Sequence, residues 1–231
     1  MSRFGTDGIR DVAGQGALAP IQISKLGRVL GAPGRRVLIG RDTRASGPAI
    51  ASRLARGFSE RGAEVVLAGV IPTPGVAFGV RAGGYDLGVV VSASHNPARY
   101  NGIKLFDSKG LKISPAAEAA VERRLDAGPP KPSRKAGSVR EDPGVAIAYE
   151  ARIRREIPRG ALKGWKIAVD TAHGAASGIF QRCLILWGAR VLSLGDAPDG
   201  KNINAGVGAT DPAKFLGASA GCRLGVAFDG D

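Results

Sequence analysis

Two apolar runs in this chain of 231 residues end on side chains able to do chemistry. The first is Leu87-Gly-Val-Val-Val-Ser-Ala-Ser-His-Asn-Pro97, where a buried-strand pattern stops in a polar turn. Ligands gather at the C-terminal ends of strands in parallel sheets, so Ser94, flanked by His95 and Asn96, reads as a nucleophile or phosphate carrier. Ser, Asn and Pro also make ordinary strand-ending turns by local hydrogen bonding, and that reading competes with the first. The second run is Leu224-Gly-Val-Ala-Phe-Asp-Gly-Asp231. Asp229 and Asp231, one Gly apart, can converge on a hard cation such as Mg²⁺. A solvated Asp-Gly turn is the alternative.

Cations are placed to meet an anion at three further points. In Arg3-Phe-Gly-Thr-Asp-Gly-Ile-Arg10, Gly5 and Gly8 permit close backbone approach and Arg10 can hold a phosphate bidentately. Gly40-Arg-Asp-Thr-Arg-Ala-Ser-Gly47 lies between a strand pattern and a helix pattern, so Arg41, Arg44 and Ser46 sit where a helix N-terminus favours an anion. In Asn101-Gly-Ile-Lys104, the lysine contacts an anion, or moves a proton if its pKa is depressed. Polar loops with charged caps, and an exposed lysine at a strand end, explain the same residues without a site. His95 and His173 are the two histidines of the chain, which excludes a histidine-based metal cluster.

These residues need elements to position them. Short, continuous apolar runs at 37–39, 65–67, 87–91, 103–106, 167–169, 191–194 and 224–228 predict strands buried on both faces. Helical periodicity predicts helices after Pro20 (Ile23, Leu26, Val29, Leu30), at Ile50, Leu54 and Phe58, over 116–125, over 146–157, and over 178–188. Alternating strands and helices imply an α/β fold: two mixed, mostly parallel sheet domains with helices on both faces, the second incomplete. The Pro-rich, charged stretch 128–143 is a candidate linker or surface loop, giving expected domains of 1–145 and 155–231.

The chain carries 33 Lys or Arg against 20 Asp or Glu, a net charge of +13. With 44% hydrophobic and 23% charged residues, it is not a disordered chain. No apolar run approaches the ~18 residues of a membrane span, and the start MSRFGTDGIR has no apolar signal-peptide core. Cys183 and Cys222 make no disulfide framework; both fall on apolar helical patterns as core thiols, and a reducing, cytoplasmic setting is expected. Ten Lys or Arg against four acids within 131–166 account for part of the excess. A basic nucleic-acid binder is the competing class for that charge. Aromatic residues are only 5% and no DNA- or RNA-binding motif is present, so no nucleic-acid partner is expected.

Taken in order, FGTDGIR at 4–10, GRDTRASG at 40–47, PTP at 72–74, SASHNP at 92–97, NGIK at 101–104 and DGD at 229–231 resemble the α-D-phosphohexomutase family. The opening motif and GKNINAGVGATDP at 200–212 are most similar to its phosphoglucosamine mutase branch. The resemblance implies interconversion of 6-phospho and 1-phospho hexosamines through a bisphosphorylated intermediate. It implies Ser94 as the phosphoserine and His95 flanking it. Lys104 would assist proton transfer, and Arg10 would contact phosphate. Mg²⁺ would be held by the Ser94 phosphate with Asp229 and Asp231, and a glucose 1,6-bisphosphate-type activator would load the serine. That family has four domains. The expectation from the resemblance is therefore that this sequence covers the first two and stops inside the metal loop. A non-catalytic remnant, or specificity for phosphomannose or phosphoglucose, are the alternatives that follow.

Overall fold

The computed structural model describes residues 3–5 and 7–231. Strands β1 (Ile9–Val12), β2 (Arg36–Arg41), β3 (Glu64–Val70), β4 (Leu87–Val91), β5 (Tyr100–Asp107) and β6 (Val139–Glu141) form one six-stranded sheet in the order β1-β5-β4-β2-β3-β6. The pairs β4–β2, β2–β3 and β3–β6 are parallel, whereas β5 runs antiparallel to both β4 and β1. A second, all-parallel sheet has the order β8-β7-β9, from β7 (Lys166–Asp170), β8 (Arg190–Leu194) and β9 (Leu224–Ala227). The mixed, mostly parallel α/β architecture expected from the alternating pattern is the one observed.

Helices cover both faces of the first sheet because its central strands are apolar on both sides. Val37 and Ile39 of β2 pack with α1 (Pro20–Leu30), α2 (Gly47–Ser59) and α4 (Pro115–Asp126). Leu38, one residue out of phase, points to the opposite face and packs with α3 (Thr73–Gly83) and α5 (Gly144–Arg154). In the second sheet, Ile167 and Val169 bury against Cys183, Leu184 and Trp187 of α6 (Ile179–Leu186) and its C-terminus, and the short α7 (Ala213–Ala218) contributes the buried Phe215. Helix α5 reaches both cores: Val145, Ala146 and Tyr149 lie on the first and Ile153 on the second.

Three expectations change, and one helix, α3, was not among those expected. The candidate linker 128–143 is docked along the edge of the first sheet: its end forms β6, Val65 N–H donates to the Ser138 carbonyl at 2.8 Å, and Gly137 N–H donates to the Ser59 carbonyl at 2.8 Å. Its proline content hid a strand of only three residues. The expected helix over 146–157 ends at Arg154. Helix α3 grows directly from the PTP stretch, with prolines at its cap and in its first turn, where the missing N–H is harmless. Cys222 lies in a turn after α7 and is only half-buried, whereas Cys183 is a fully buried core thiol. No helix among the described residues is long and apolar enough to cross a membrane.

Candidate functional site

The candidate site lies beyond the C-terminal ends of β2, β4, β7 and β9, where parallel strands leave a crevice. Past Val91 the chain turns, and Ser94 adopts a left-handed backbone with φ of 53°. That conformation is disfavoured for a residue with a Cβ by roughly 1–2 kcal/mol and persists only where neighbours impose it. Arg44 is one such neighbour. It is fully buried, and its Nε donates to Asp42 at 2.8 Å. Its Nη1 donates to the carbonyls of Pro97 at 2.6 Å and Tyr100 at 3.0 Å. Its Nη2 donates to the carbonyls of Ser94 at 2.9 Å and Asn96 at 2.8 Å. A guanidinium has five N–H groups, and all five are used. The sequence places Arg44 at a bound anion; the structure corrects this, because no N–H is left for a phosphate. Burial pushes the Asp42 carboxyl above the ordinary carboxylate range, against the opposing pull of Arg44.

The second sheet supplies the other wall. The Ser94 hydroxyl donates to the Asp229 carboxylate beyond β9. Asn204, itself left-handed at φ 58°, donates through Nδ2 to the Ser94 carbonyl at 2.9 Å and the Asn96 carbonyl at 3.1 Å. Its Oδ1 is buried with no hydrogen-bond donor among the described residues. Gly230 passes so close that a Cβ there would lie 2.7 Å from the Ser94 carbonyl oxygen, which explains the glycine between the two aspartates. The Thr43 hydroxyl donates to the His173 carbonyl at 2.6 Å and Thr73 N–H to the Asp231 carbonyl at 2.8 Å, tying the two walls together.

Lys104 lies inside β5 rather than at its exposed end, and only 6% of it is accessible. Its Nζ is 2.9 Å from Asp231 and 3.0 Å from Asp7, and Asp7 also pairs with Arg10. Burial pulls the Lys104 pKa down, but Asp231 and Asp7 together outweigh it and hold the ammonium above its ordinary value. The depression on which the sequence reading made proton transfer conditional is not found: the two carboxylates hold this group as a cation and make its proton harder to remove. Asp7 shows the reciprocal effect, since burial raises it while Lys104 and Arg10 bring it below the usual carboxylate range. A carboxylate depressed by folding contributes stability above its unfolded pKa and loses it as pH falls through the folded value. Asp7→Asn is accordingly expected to lower the thermal midpoint at pH 7, with the gap to the parent closing below about pH 3.8 in an acid titration followed by circular dichroism.

The remaining expected residues divide. Arg10 reaches the cluster through Asp7. Arg41 is half-buried, donates to the Asp42 carbonyl at 3.1 Å, and lines a separate cavity of about 430 Å³ with Pro48, Ala51 and Glu141; among the described residues no hydrogen bond joins it to Ser94. His95 flanks Ser94 in sequence, but its side chain is exposed and makes no hydrogen bond among the described residues. Asp7 and Asn204 are the residues the motif reading passed over. Each stood inside a quoted motif, but nothing in the spacing of FGTDGIR or NIN says that the side chain reaches across to Lys104 or to the serine loop.

Ser94 Oγ, Asp229 and Asp231 form an all-oxygen donor set, which is the chemistry of a hard cation. No group of three His, Cys, Asp or Glu is gathered for a metal among the described residues. Two carboxylates near a serine hydroxyl nevertheless fit Mg²⁺, which is commonly bound through one or two carboxylates and completed by other oxygen ligands. One Asp231 oxygen is engaged by Lys104.

Comparison with known proteins places the sequence among relatives. Phosphoglucosamine mutase of Cupriavidus taiwanensis is 43% identical over 99% of this chain and 54% of its own length. That of Paracidovorax citrulli is 44% identical with the same coverages. The chain thus spans about half the length of the curated relatives it matches. A crystal structure of a phosphoglucomutase/phosphomannomutase family protein from Burkholderia thailandensis superposes with a TM-score of 0.82 at 30% identity, covering all of this chain and 53% of that one. Residues 1–131 match the family described as phosphoglucomutase/phosphomannomutase, alpha/beta/alpha domain I, and the chain belongs to that family.

Proposed function

We propose that this chain carries the phosphoserine and metal-binding half of a phosphoglucosamine mutase, which interconverts glucosamine 6-phosphate and glucosamine 1-phosphate. The observation that carries the reading is the Ser94 hydroxyl donated to Asp229 across the crevice, on a loop fixed from both walls. Relatives named phosphoglucosamine mutase support the choice of sugar. We assign residues 1–145 to the phosphoserine domain and 155–231 to the metal-loop domain, with α5 between them, in a cytoplasmic protein.

In loading by a glucose 1,6-bisphosphate-type activator, Ser94 Oγ attacks phosphorus and the bond from phosphorus to the sugar oxygen breaks. The serine proton moves toward Asp229, which already accepts it, and the departing sugar oxygen takes a proton from the Lys104 ammonium. Arg10 neutralises charge at the sugar phosphate, and His95 flanks the entering group. Mg²⁺ bound by Asp229 and Asp231 would supply charge neutralisation at the phosphoryl oxygens. Such transfer rests on positioning and electrostatics rather than on covalent chemistry by the protein beyond the serine. The test is turnover of glucosamine 6-phosphate with Mg²⁺ and glucose 1,6-bisphosphate, by this chain in the context of the full-length protein. The expected result is formation of the 1-phosphate, abolished by Ser94→Ala. Undiminished turnover in that variant would overturn the assignment.

A further inference from the structure

We infer that Asn204 is a positioning residue for phosphoryl transfer: its amide holds the Ser94 loop in the reactive conformation from the second sheet, so the serine is competent only when the two sheets are docked. The inference rests on the proposed function for its catalytic readout, but not for its structural one.

Three observations carry it. The Asn204 Nδ2 donates to the carbonyls of Ser94 and Asn96, the same two that Arg44 Nη2 engages from the first sheet. Each carbonyl has two lone pairs, so one cation and one amide saturate both from opposite sides. Arg44 holds the loop backbone from the sheet that bears it, and without Asn204 the Ser94 hydroxyl's bond to Asp229 would be the loop's one hydrogen bond to the second unit among the described residues. Asn204 links the loop to the stretch that packs Ile203 against Gly230, the residue between Asp229 and Asp231. The serine and its carboxylate partner are thereby indexed to one another. Finally, Asn204 holds a left-handed backbone, φ 58°, while its amide is committed to the two loop carbonyls. A glycine would adopt that backbone freely but would supply neither contact. Retaining an amide there serves the Nδ2 contacts rather than the fold.

Asn204→Gly deletes the amide while keeping the backbone unstrained, and Asn204→Asp keeps the shape while replacing the donor by an acceptor facing two carbonyls. Two readouts are needed. One is the rate at which Ser94 gains phosphate from glucose 1,6-bisphosphate with Mg²⁺, over a range of bisphosphate concentrations. The other is hydrogen exchange of the peptide covering 92–101. The expected result in both variants is a limiting loading rate at least about tenfold lower with half-saturation unchanged, faster exchange in 92–101, and a thermal midpoint for Asn204→Gly at or above the parent. A purely structural residue would instead lower the midpoint and leave the limiting rate of the folded fraction unaltered. Parent-like loading and exchange in both variants would overturn the inference. If the parent itself gains no phosphate, the proposed function fails, and exchange alone decides the clamp: faster in the variants supports it and unchanged exchange refutes it.

Discussion

Arg44→Met is expected to destabilise the protein by about 3–5 kcal/mol, the cost of removing one partner from a buried ion pair. The substitution leaves the Asp42 carboxylate uncompensated where neither side chain is accessible. It also strips a donor from each of four loop carbonyls between Ser94 and Tyr100. A urea titration would register this as a lower midpoint with an unchanged slope. Arg44→Lys recovers little, because an ammonium cannot reach five acceptors arranged around a planar fork. A midpoint within about 1 kcal/mol of the parent would mean that water or a shifted loop replaces the guanidinium, and the brace would then be incidental.

The second large effect falls on Lys104. With the lysine donating the proton to the departing oxygen, Lys104→Met is expected to slow loading of Ser94 by about 10²–10⁴-fold, the range of general acid catalysis. Methionine also leaves Asp231 buried and unpaired, so loss of stability has to be separated from loss of catalysis. Lys104→Arg does this. It keeps a positive charge between Asp231 and Asp7, so the fold is expected to hold, yet arginine does not release a proton at neutral pH. Loading by Lys104→Arg is therefore expected to stay slow. Near-parental rates would reduce the lysine to a counter-charge.

The residues proposed to carry the chemistry were legible as motifs, since Ser94, Asp229 and Asp231 each follow an apolar strand run that ends at the C-terminal edge of a parallel sheet. The core strands were equally plain, because strands buried on both faces are continuously apolar. What escaped was decided by distance in the chain. Arg44 reads as an anion ligand beside a helix start, yet its partners lie some fifty residues away, and their number shows only when the loop is folded around it. Lys104 reads as a strand-end charge because Asp231 is 127 residues distant, and that pairing reverses the sign of its pKa shift. Asn204 sits in an irregular stretch with no periodicity to mark which face it presents. Short edge elements fared similarly: β1 carries two charged residues in four, and β6 is three residues inside a Pro-rich run.

Incubation with glucose 1,6-bisphosphate and Mg²⁺, followed by digestion and mass analysis of the 92–101 region, tests the central claim most directly. The account predicts one phosphate per chain, on Ser94, and none taken up by Ser94→Ala. Phosphate on another residue, no phosphate at all, or equal uptake by Ser94→Ala would contradict it.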